Sequence, residues 1–431
     1  MAQATAQFPV QFNFLTPGAR SMAMGGAFVG AADDATAAFT NPAGLAFFGT
    51  VQVAFEGRFN RVETPFLAGG RISGQPTGIG LDTVPNPVYE TDIYRNFSPS
   101  FLAVVIPFGG RSSFTAYRHE LVGIENTFYY RGAFQRATFF GTVDDRNRDI
   151  PLGGTRSVRI VNYGGAVGHS WKSTDPDTGL PHERIALGAG VSLSTFHLDS
   201  HFARFGFVSS IFGPDDPTIT GATAVQTGDD VSVSAHAGVL WRSRHDGVSI
   251  GGTFRRGPSF TFTQRDRVFA ADLDLTRVGQ FKVPDVWAAG VAWQASDTLR
   301  LLVDYDRVQY SQLKTDFIDF QAISSGRAAQ LAIDDGNEVH GGAEYLVFVR
   351  QQPVALRAGA WFDPDHTVHY VPTAAGDEID TLLSATLPGG RNLVHATFGA
   401  GVGLPKRARF DAAADISSRT TSVTVSVLLR F

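Results

Sequence analysis

The chain contains no cysteine in 431 residues, and only 18% of its residues are charged. The lack of cysteine excludes a disulfide scaffold, thiol catalysis and cysteine-based zinc sites. Soluble globular chains carry about 25% charged residues, so this chain is poor in charge for that class. A formal net charge of −5 without any basic block argues against nucleic acid as a partner.

Long hydrophobic runs are also missing. The best run, residues 101–106, is far shorter than the roughly 18 apolar residues that a transmembrane helix needs. Yet 43% of the residues are hydrophobic, with 35 Phe and 47 Gly. If the chain spans a membrane, only a closed β-barrel remains, because hydrocarbon offers no partner to unpaired backbone groups.

The N-terminal segment, residues 1–7, has neither a charged n-region nor an apolar h-region of a signal peptide. A bacterial outer-membrane protein must carry a signal peptide to be exported. We therefore expect this sequence to represent a mature chain with an added start Met.

The C-terminal segment, residues 421–431, alternates between apolar and mostly polar side chains with a period of two, as a strand with two different faces does. The apolar face consists of Val423, Val425, Val427, Leu429 and Phe431. A last strand that ends in Phe resembles the assembly signal of bacterial outer-membrane barrels. The alternative is the final strand of a soluble sandwich.

The same alternation recurs along the chain and predicts 14 strands. Their expected positions are 50–60, 98–108, 111–130, 153–171, 182–203, 228–243, 246–263, 278–295, 297–311, 335–350, 352–363, 391–404, 406–417 and 420–431. Short turns then alternate with long excursions, which is typical of periplasmic turns and extracellular loops. A soluble sandwich has no reason to sort its loops in this way. The sequence therefore predicts an all-β fold, a 14-stranded antiparallel transmembrane β-barrel over residues 50–431.

The first 49 residues do not follow the strand pattern. Residues 18–30 and 33–45 are typical of short helical pieces broken by Gly and Pro. Asp33 or Asp34 is suited to cap the helix that follows. We predict that residues 1–49 form a small helical plug inside the barrel lumen.

Several motifs resemble a known family. Four of them lie in the predicted plug: Gly18-Ala-Arg20, Met24-Gly-Gly-Ala27, Ala32-Asp-Asp-Ala35 and Asn41-Pro-Ala-Gly-Leu45. Together they resemble the hatch of the FadL/TodX family of outer-membrane transporters. Lys282-Val-Pro-Asp285 and Leu302-Val-Asp-Tyr305 are similar to that family's eighth and ninth strands. Residues 337–345 and 355–359 are similar to its tenth and eleventh, whereas residues 60–280 carry little resemblance.

The resemblance implies a barrel closed by a hatch that binds hydrophobic ligands and releases them sideways through a gap in the wall. The gating residues that it implies are Asp33, Asp34, Asn41, Pro42 and Ala43. A kink in the family's third strand makes the gap.

In this chain Gly123 and Asn126 interrupt the third strand and are the candidates for the lateral opening. An ordinary extracellular strand end explains the same residues equally well.

Two groups of apolar residues are candidates for ligand binding. The first lies in a long loop that should face water and yet is rich in Phe: Phe205, Phe207, Ile211 and Phe212. An exposed apolar patch of this kind marks an interaction surface, unless its side chains pack against neighbouring loops. The second group comprises Phe8, Phe12 and Phe14, which either contact ligand or pin the plug.

Charged residues also fall on the predicted inward faces of adjacent strands: Arg300, Asp304, Asp306, His340, Glu344 and Arg357. Opposite charges in a lumen form either a functional constellation or a structural network of pairs. Arg357 is the candidate for a carboxylate headgroup, because guanidinium binds carboxylate with two parallel hydrogen bonds.

Few motifs indicate other chemistry. Residues 24–30 loosely resemble a phosphate loop but lack the preceding strand and the lysine. His366 and His369 lie close to two aspartates on a long loop, where solvated polar residues are the simpler interpretation. We expect no catalytic residues, no metal and no cofactor.

We therefore predict a monomeric channel of the bacterial outer membrane for passive uptake of long-chain fatty acids or similar hydrophobic molecules. The expected ligands are a fatty acid, a hydrocarbon or a detergent that mimics one, and the expected surroundings are membrane lipid and lipopolysaccharide. The first alternative is a related barrel that holds a protein partner in secretion, which the hatch motifs do not exclude. An outer-membrane hydrolase ranks third, and an open porin ranks low because a plug obstructs a water-filled pore.

Overall fold

In a computed structural model of the chain, the described residues are 14, 16–78, 83–139, 141–149, 152–174, 181–205, 220–243, 247–269, 272–314, 327–350, 352–374, 376–404 and 407–431. No helix in these segments is long and apolar enough to cross a membrane.

The described strands form a closed antiparallel barrel of 14 strands. Each strand pairs with the next one in sequence, and the first pairs with the last to close the ring. The first seven strands are β1 Gln52–Gly70, β2 Pro87–Phe108, β3 Ser112–Tyr130, β4 Leu152–Thr174, β5 Pro181–Phe205, β6 Thr220–Ser243 and β7, which has two segments, Val248–Arg256 and Ser259–Val268. The others are β8, with segments Leu273–Lys282 and Val286–Gln294, β9 Leu299–Val308, β10 Gly336–Val349, β11 Gln352–Asp363, β12 Leu393–Leu404, β13 Ala408–Ile416 and β14 Thr420–Arg430. The predicted fold class and strand number are confirmed.

Alternation of side chains sets the two faces of the wall. In β14, Val423 and Val425 point outward and are 41% and 53% exposed, whereas Ser422 and Thr424 point inward and are buried. β5 repeats the pattern with an outward row of Ile185, Leu187, Val191 and Leu193. An apolar outer face and a polar inner face are what a barrel needs when lipid surrounds it.

Several strands are longer than predicted. Residues 61–97, predicted as a loop, belong largely to β1 and β2, whose pairing continues to Gly70 opposite Pro87. β6 likewise begins at Thr220 instead of residue 228. Along residues 91–98 of β2, exposed and more buried side chains still alternate, but each face mixes apolar with charged residues, such as Ile93 and Arg95 on one face and Tyr94 and Asp92 on the other. The hydropathy pattern therefore does not mark these extensions as strands.

Strands β7 and β8 are each broken at the same level, although continuous strands were predicted. The interruptions contain Gly257 with Pro258 and, in β8, Val283 with Pro284 and Asp285. Proline has no amide hydrogen to give to a strand ladder, which accounts for both interruptions.

The segment before β1 folds into short helices within the barrel. These are α1 Ala19–Ala23, α2 Ala37–Thr40 and a 3-10 helix, Pro42–Phe47. Asp33 and Asp34 do not cap α2, whose N-cap is Thr36. Asp34 instead accepts hydrogen bonds from the Thr36 amide and hydroxyl, at 3.1 and 2.6 Å, and so fixes the turn that leads into α2.

The longer connections between strands add a few further elements. Ala133–Phe139 pairs with Thr142–Asp149, and Leu331–Ala332 pairs with His369–Tyr370. A third α-helix, Glu378–Thr386, begins after Asp377, whose carboxylate accepts a hydrogen bond from the Asp380 amide.

Candidate functional site

A network of buried charges holds one side of the plug. The guanidinium of Arg20 donates two hydrogen bonds of 2.8 Å to the carboxylate of Glu344 in β10, and it also pairs with Asp33. Asp33 in turn accepts a hydrogen bond of 2.6 Å from Arg300 in β9. Burial alone raises the pKa of the Asp33 carboxyl, but the charges of Arg20 and Arg300 outweigh burial and bring the pKa well below its ordinary value.

The network continues along the inner wall. Arg357 in β11 bridges Glu344 and Asp411, with hydrogen bonds of 2.7 and 2.8 Å. Arg409 in β13 bridges Asp411 and the plug residue Asp34, at 2.6 and 2.7 Å. Each of these buried charges thus has at least one partner of opposite sign, as buried ionic groups require.

Arg357 is therefore not placed to meet a ligand headgroup. Its guanidinium is buried, with carboxylates on two sides, and it lies away from the cavity described below. The prediction of a headgroup contact is wrong for this residue, and the structural alternative fits its surroundings. Of the other inward charges predicted from sequence, Arg300 and Glu344 belong to this network, Asp306 and His340 line the cavity, and Asp304 binds the plug backbone.

Glycines support the opposite side of the plug. Gly168, Gly188 and Gly238 lie beside one another in register across β4, β5 and β6. A Cβ atom at Gly188 would lie only 2.2 Å from the carbonyl carbon of Pro42, so that only glycine allows the plug backbone to come this close.

Asn41 joins the plug to this glycine row. Its amide nitrogen donates to the carbonyls of Val29 and Val239, at 3.0 and 3.2 Å, and its amide oxygen accepts from the Ala43 amide at 3.2 Å. The side chain thus links two parts of the plug to β6. Asn41, Pro42 and Ala43 thus lie at the contact between plug and wall, and their gating role stays a prediction.

A third attachment lies at β9. One carboxylate oxygen of Asp304 accepts hydrogen bonds from the amides of Phe28 and Val29, at 2.5 and 2.6 Å. The wall therefore holds the plug through side chains, backbone and close packing together.

A cavity of about 170 Å³ lies between the plug and the inner wall. Its apolar and aromatic lining includes Phe14, Met22, Phe39, Leu121, Val283, Val286, Val308, Tyr310 and Trp361. Only Phe14 and Phe39 among the described lining residues are phenylalanine, so the expected lining rich in Phe is replaced by a mixed one.

One end of the cavity is polar. Asp306, Glu338 and His340 meet there with their ligand-type atoms within 4.8 Å of one another. The Tyr310 hydroxyl donates to Glu338 at 2.9 Å, and His340 Nδ1 donates to the carbonyl of Gly25 at 2.7 Å. The cluster thus ties the plug to β10 and gives the cavity a hydrogen-bonding end.

Arg255 in β7 also lines the cavity. Its guanidinium lies 5.2 Å from the ring centre of Phe39, an arrangement that favours cation–π attraction. Arg58 and Arg256 also line the cavity, whereas Arg357 does not.

The structure separates the predicted ligand-binding phenylalanines. Phe14 lines the cavity, and Phe205 lies at the end of β5 with its ring centre 6.0 Å from that of Tyr129. The remaining candidates lie outside the described residues: Phe8, Phe12, Phe207, Ile211 and Phe212.

The two loop histidines do not form a joint site. His366 is buried, pairs with Asp363 at 3.2 Å and stacks on Tyr310 with ring centres 4.0 Å apart. His369 contacts the carbonyl of Thr367 at 3.4 Å instead. The interpretation of His366 as a solvated loop residue is wrong, because it packs inside the extracellular end of the barrel.

The candidates for a lateral opening lie at an interruption of the wall. Pairing between β2 and β3 ends at Phe101 opposite His119, although both strands continue. Beyond that point side chains span the gap: Tyr94 and Asn96 donate to the carbonyl of Gly123, at 3.1 and 2.8 Å. Asn126 donates to Asp92 at 2.9 Å in the same way.

Sequence reasoning missed the glycine row, Arg255 and Tyr310. Glycine at an inward position in three neighbouring strands is a usable signal, but only after the register is known. Arg255 carried no signal, because its neighbour in space, Phe39, comes from a distant part of the chain.

No family model and no curated protein matches the sequence. Solved structures do match over nearly the whole chain. The CymD monoaromatic hydrocarbon channel has a TM-score of 0.57 at 11% identity and covers 98% of this chain and 99% of its own. The toluene transporter TodX of P. putida has a TM-score of 0.57 at 13% identity and covers 97% of this chain and 99% of its own.

The toluene transporter TbuX of Ralstonia pickettii is similar to the same degree, with a TM-score of 0.55 at 14% identity and 97% and 99% coverage. These likenesses confirm the fold that the resemblance to the FadL/TodX family implied. The chain is a plugged, 14-stranded barrel of the bacterial outer membrane with the fold of the TodX, TbuX and CymD channels.

Proposed function

We propose that the protein is a passive outer-membrane channel for small hydrophobic molecules, and that compact aromatic hydrocarbons are its preferred ligands. A ligand is captured at the extracellular loops, enters the cavity against the plug, and leaves sideways after the plug rearranges. We assign no catalytic step to the protein.

The cavity is the observation that carries this proposal. Its volume is about 170 Å³, and apolar cavities of about 150 Å³ in proteins bind benzene. Aromatic rings of Phe39, Tyr310 and Trp361 line it, which suits the flat face of a monoaromatic ligand. The names of CymD, TodX and TbuX, which are channels or transporters of such hydrocarbons, support the same ligand class.

Long-chain fatty acids are the second candidate, favoured by Arg255. Its guanidinium lines the cavity and can pair with a carboxylate headgroup, in competition with the nearby carboxylates of Asp306 and Glu338. Each methylene buried beside it would contribute about 0.8 kcal/mol. A long acyl chain would, however, extend beyond a cavity of about 170 Å³, whereas toluene would fit inside it.

The plug determines how a ligand leaves. The contacts of Arg20, Asn41 and Pro42 with the wall lie across the lumen, so a straight path to the periplasm is obstructed. Exit therefore requires either movement of the plug or a passage through the wall. A concentration gradient and consumption of the ligand inside the cell are sufficient to drive such a flux.

Uptake of labelled toluene and labelled palmitate tests the proposal in cells that lack their own transporter. We expect wild type to restore toluene uptake and Val308→Trp, which fills the cavity, to abolish it. Val303→Trp is the matched control, because Val303 lies in the same strand and faces outward.

Palmitate uptake without toluene uptake would replace the first ligand class by the second. Uptake of neither, although the protein is correctly inserted, would refute both and leave the protein-partner role as the alternative.

A further inference from the structure

We infer that the wall has a lateral opening between β6 and β7, distinct from the β2–β3 gap, through which a hydrophobic ligand passes between the cavity and the outer leaflet. The inference rests on the proposed function and adds a route to it. It follows from the strand pairing, the cavity lining and the level of the opening in the membrane.

The pairing between β6 and β7 is interrupted in its middle. Residues 222–227 of β6 pair with the Ser259–Val268 segment of β7. Residues 235–242 of β6 pair with its Val248–Arg256 segment. Residues 228–234 keep their partners in β5 but have no partner strand on the β7 side among the described residues. A barrel in lipid normally pairs every backbone N–H and C=O group with a neighbouring strand, so an interruption of this length is unusual.

Specific contacts hold the break in shape. The amide of Gly257 donates to Asp285 at 2.8 Å, and the ammonium of Lys282 donates to both the Gly257 carbonyl and Asp285 at 2.7 Å. The Val283 amide donates to the carbonyl of Pro258 at 3.0 Å. The two prolines and this bonding make the interruption a defined corner instead of a frayed strand end.

The cavity extends through the wall at this corner. Its lining includes Ser234 and His236, which face the lumen, together with Ala235 and Arg256, which are exposed on the outer face. Gly257 follows Arg256, so the rim of the opening combines the small residues Ala235 and Gly257 with the arginine. On the β3 side, by contrast, the described residue that lines the cavity is Leu121, and Leu121 is buried instead of exposed on the outer face.

The opening lies in the part of the wall that faces lipid. Val231 and Val233, on the outer face of the unpaired stretch, are 55% and 69% exposed. Just above them His197 and Asp229 form an exposed pair at 2.7 Å, which marks the upper edge of the apolar band. An apolar molecule that leaves here therefore enters the outer leaflet.

Two side chains bridge the upper part of the interruption. The amide and hydroxyl of Thr261 donate to Asp230 at 2.7 and 3.0 Å, and the Ser259 amide donates to Ser232 at 3.3 Å. In these contacts Asp230 and Ser232 replace backbone carbonyls across a separation that is too wide for a regular ladder. They limit the height of the opening without closing its lower part.

A bulky side chain at the rim tests the inference. We expect Ala235→Trp to lose uptake of labelled toluene, whereas Ala237→Trp, two residues along the same outward row and outside the cavity lining, keeps it. Asn126→Trp, at the β2–β3 gap, is also expected to keep it. Heat-modifiable migration on gels confirms that each variant is folded.

Chemical closure after folding avoids any effect of the substitution on assembly. Because the chain has no cysteine, Ala235→Cys and Ala237→Cys each introduce a single thiol. Benzyl methanethiosulfonate should stop uptake by the first variant and leave the second unchanged.

Equal uptake by the two tryptophan variants and by the two modified cysteine variants would overturn the inference while the proposed function stands. A folded wild type that takes up no toluene would overturn the proposed function and the inference together.

Discussion

The two sides of the plug both rest on wall glycines but differ in the polar contacts beside them. Toward β9–β13, plug charges meet wall charges, Arg20 with Glu344 and Asp33 with Arg300, and Gly342 and Gly359 lie against the plug backbone at Met24 and Gly25. Toward β4–β6, the plug backbone at Pro42 rests on a row of glycines, and the polar contacts are hydrogen bonds to backbone carbonyls from Asn41, His236 and Arg242.

The difference indicates how the plug can move. An ion pair that opens in a lumen exchanges its partner for water, and its charges then lose little of their stabilisation. A backbone seated on glycine has no such substitute, because its contact depends on shape. We therefore expect rearrangement to begin at the charged pairs and the glycine contacts to open last.

The largest expected effect comes from the glycine row. Gly188→Val would place a Cβ atom 2.2 Å from the Pro42 carbonyl carbon, so the plug cannot dock without moving. We expect large, steady single-channel currents from this variant and none from wild type. Ala189→Val, the next residue and outward-facing, is the control. Equal, small currents from both variants would show that the glycine row does not position the plug.

Next in size is the centre of the charged side. Glu344→Ala leaves Arg20 and Arg357 buried without their shared carboxylate, and loss of one partner from a buried pair costs about 3–5 kcal/mol. The plug should then release Arg20 to trypsin, measured as faster cleavage of the folded protein. Glu63→Gln, in the partly exposed pair with Arg61, should change nothing. Unchanged cleavage at Arg20 would show that Glu344 does not hold the plug in place.

A smaller effect is expected at Asn41. Asn41→Ala leaves the carbonyls of Val29 and Val239 without this donor, at a cost of about 1–3 kcal/mol. The hydrogen-exchange rate of the Ala43 amide should increase, because alanine at position 41 cannot accept its hydrogen bond. Asn41→Asp keeps the oxygen that accepts from Ala43 but loses the donor. Full protection of Ala43 in both variants would show that the plug does not depend on this side chain.

The smallest effect is expected at Asp33, which is 27% exposed. Asp33→Asn should weaken plug docking less than Glu344→Ala does, because Arg20 keeps Glu344 as a partner and water screens part of the Asp33 interaction. The pKa of Asp33 is lowered in the folded protein, so its contribution is present above the ordinary carboxyl value of about 4 and is lost only as the pH falls below it. Trypsin cleavage of the plug should therefore be constant through neutral pH; a rise on mild acidification would contradict this assignment.

Sequence pattern was sufficient for the wall but not for its interior. Lipid imposes alternation on every spanning strand, as in residues 421–431, so the strands and their number follow from the sequence. In the first half of β2 the outward face mixes Ile93 with Arg95, so hydropathy does not alternate there. Which inward charge pairs with which depends on register, and a shift by one residue moves every side chain to the other face.

The cavity shows the same limit. Arg255 and Phe39 are far apart in sequence, and only the docked plug brings them together. The sequence shows that Arg357 is charged and faces inward. It does not show that Glu344 and Asp411 already bind its guanidinium.

Fluorescence of Trp361 tests the central claim, a hydrophobic ligand in the plugged lumen, most directly. Among the five tryptophans Trp361 is the one that lines the cavity, where it stacks on His395 with ring centres 3.9 Å apart. We predict that toluene changes the emission of the purified protein saturably and that Trp361→Phe removes this change. No saturable change, or a change that persists in Trp361→Phe, would contradict ligand binding in the cavity.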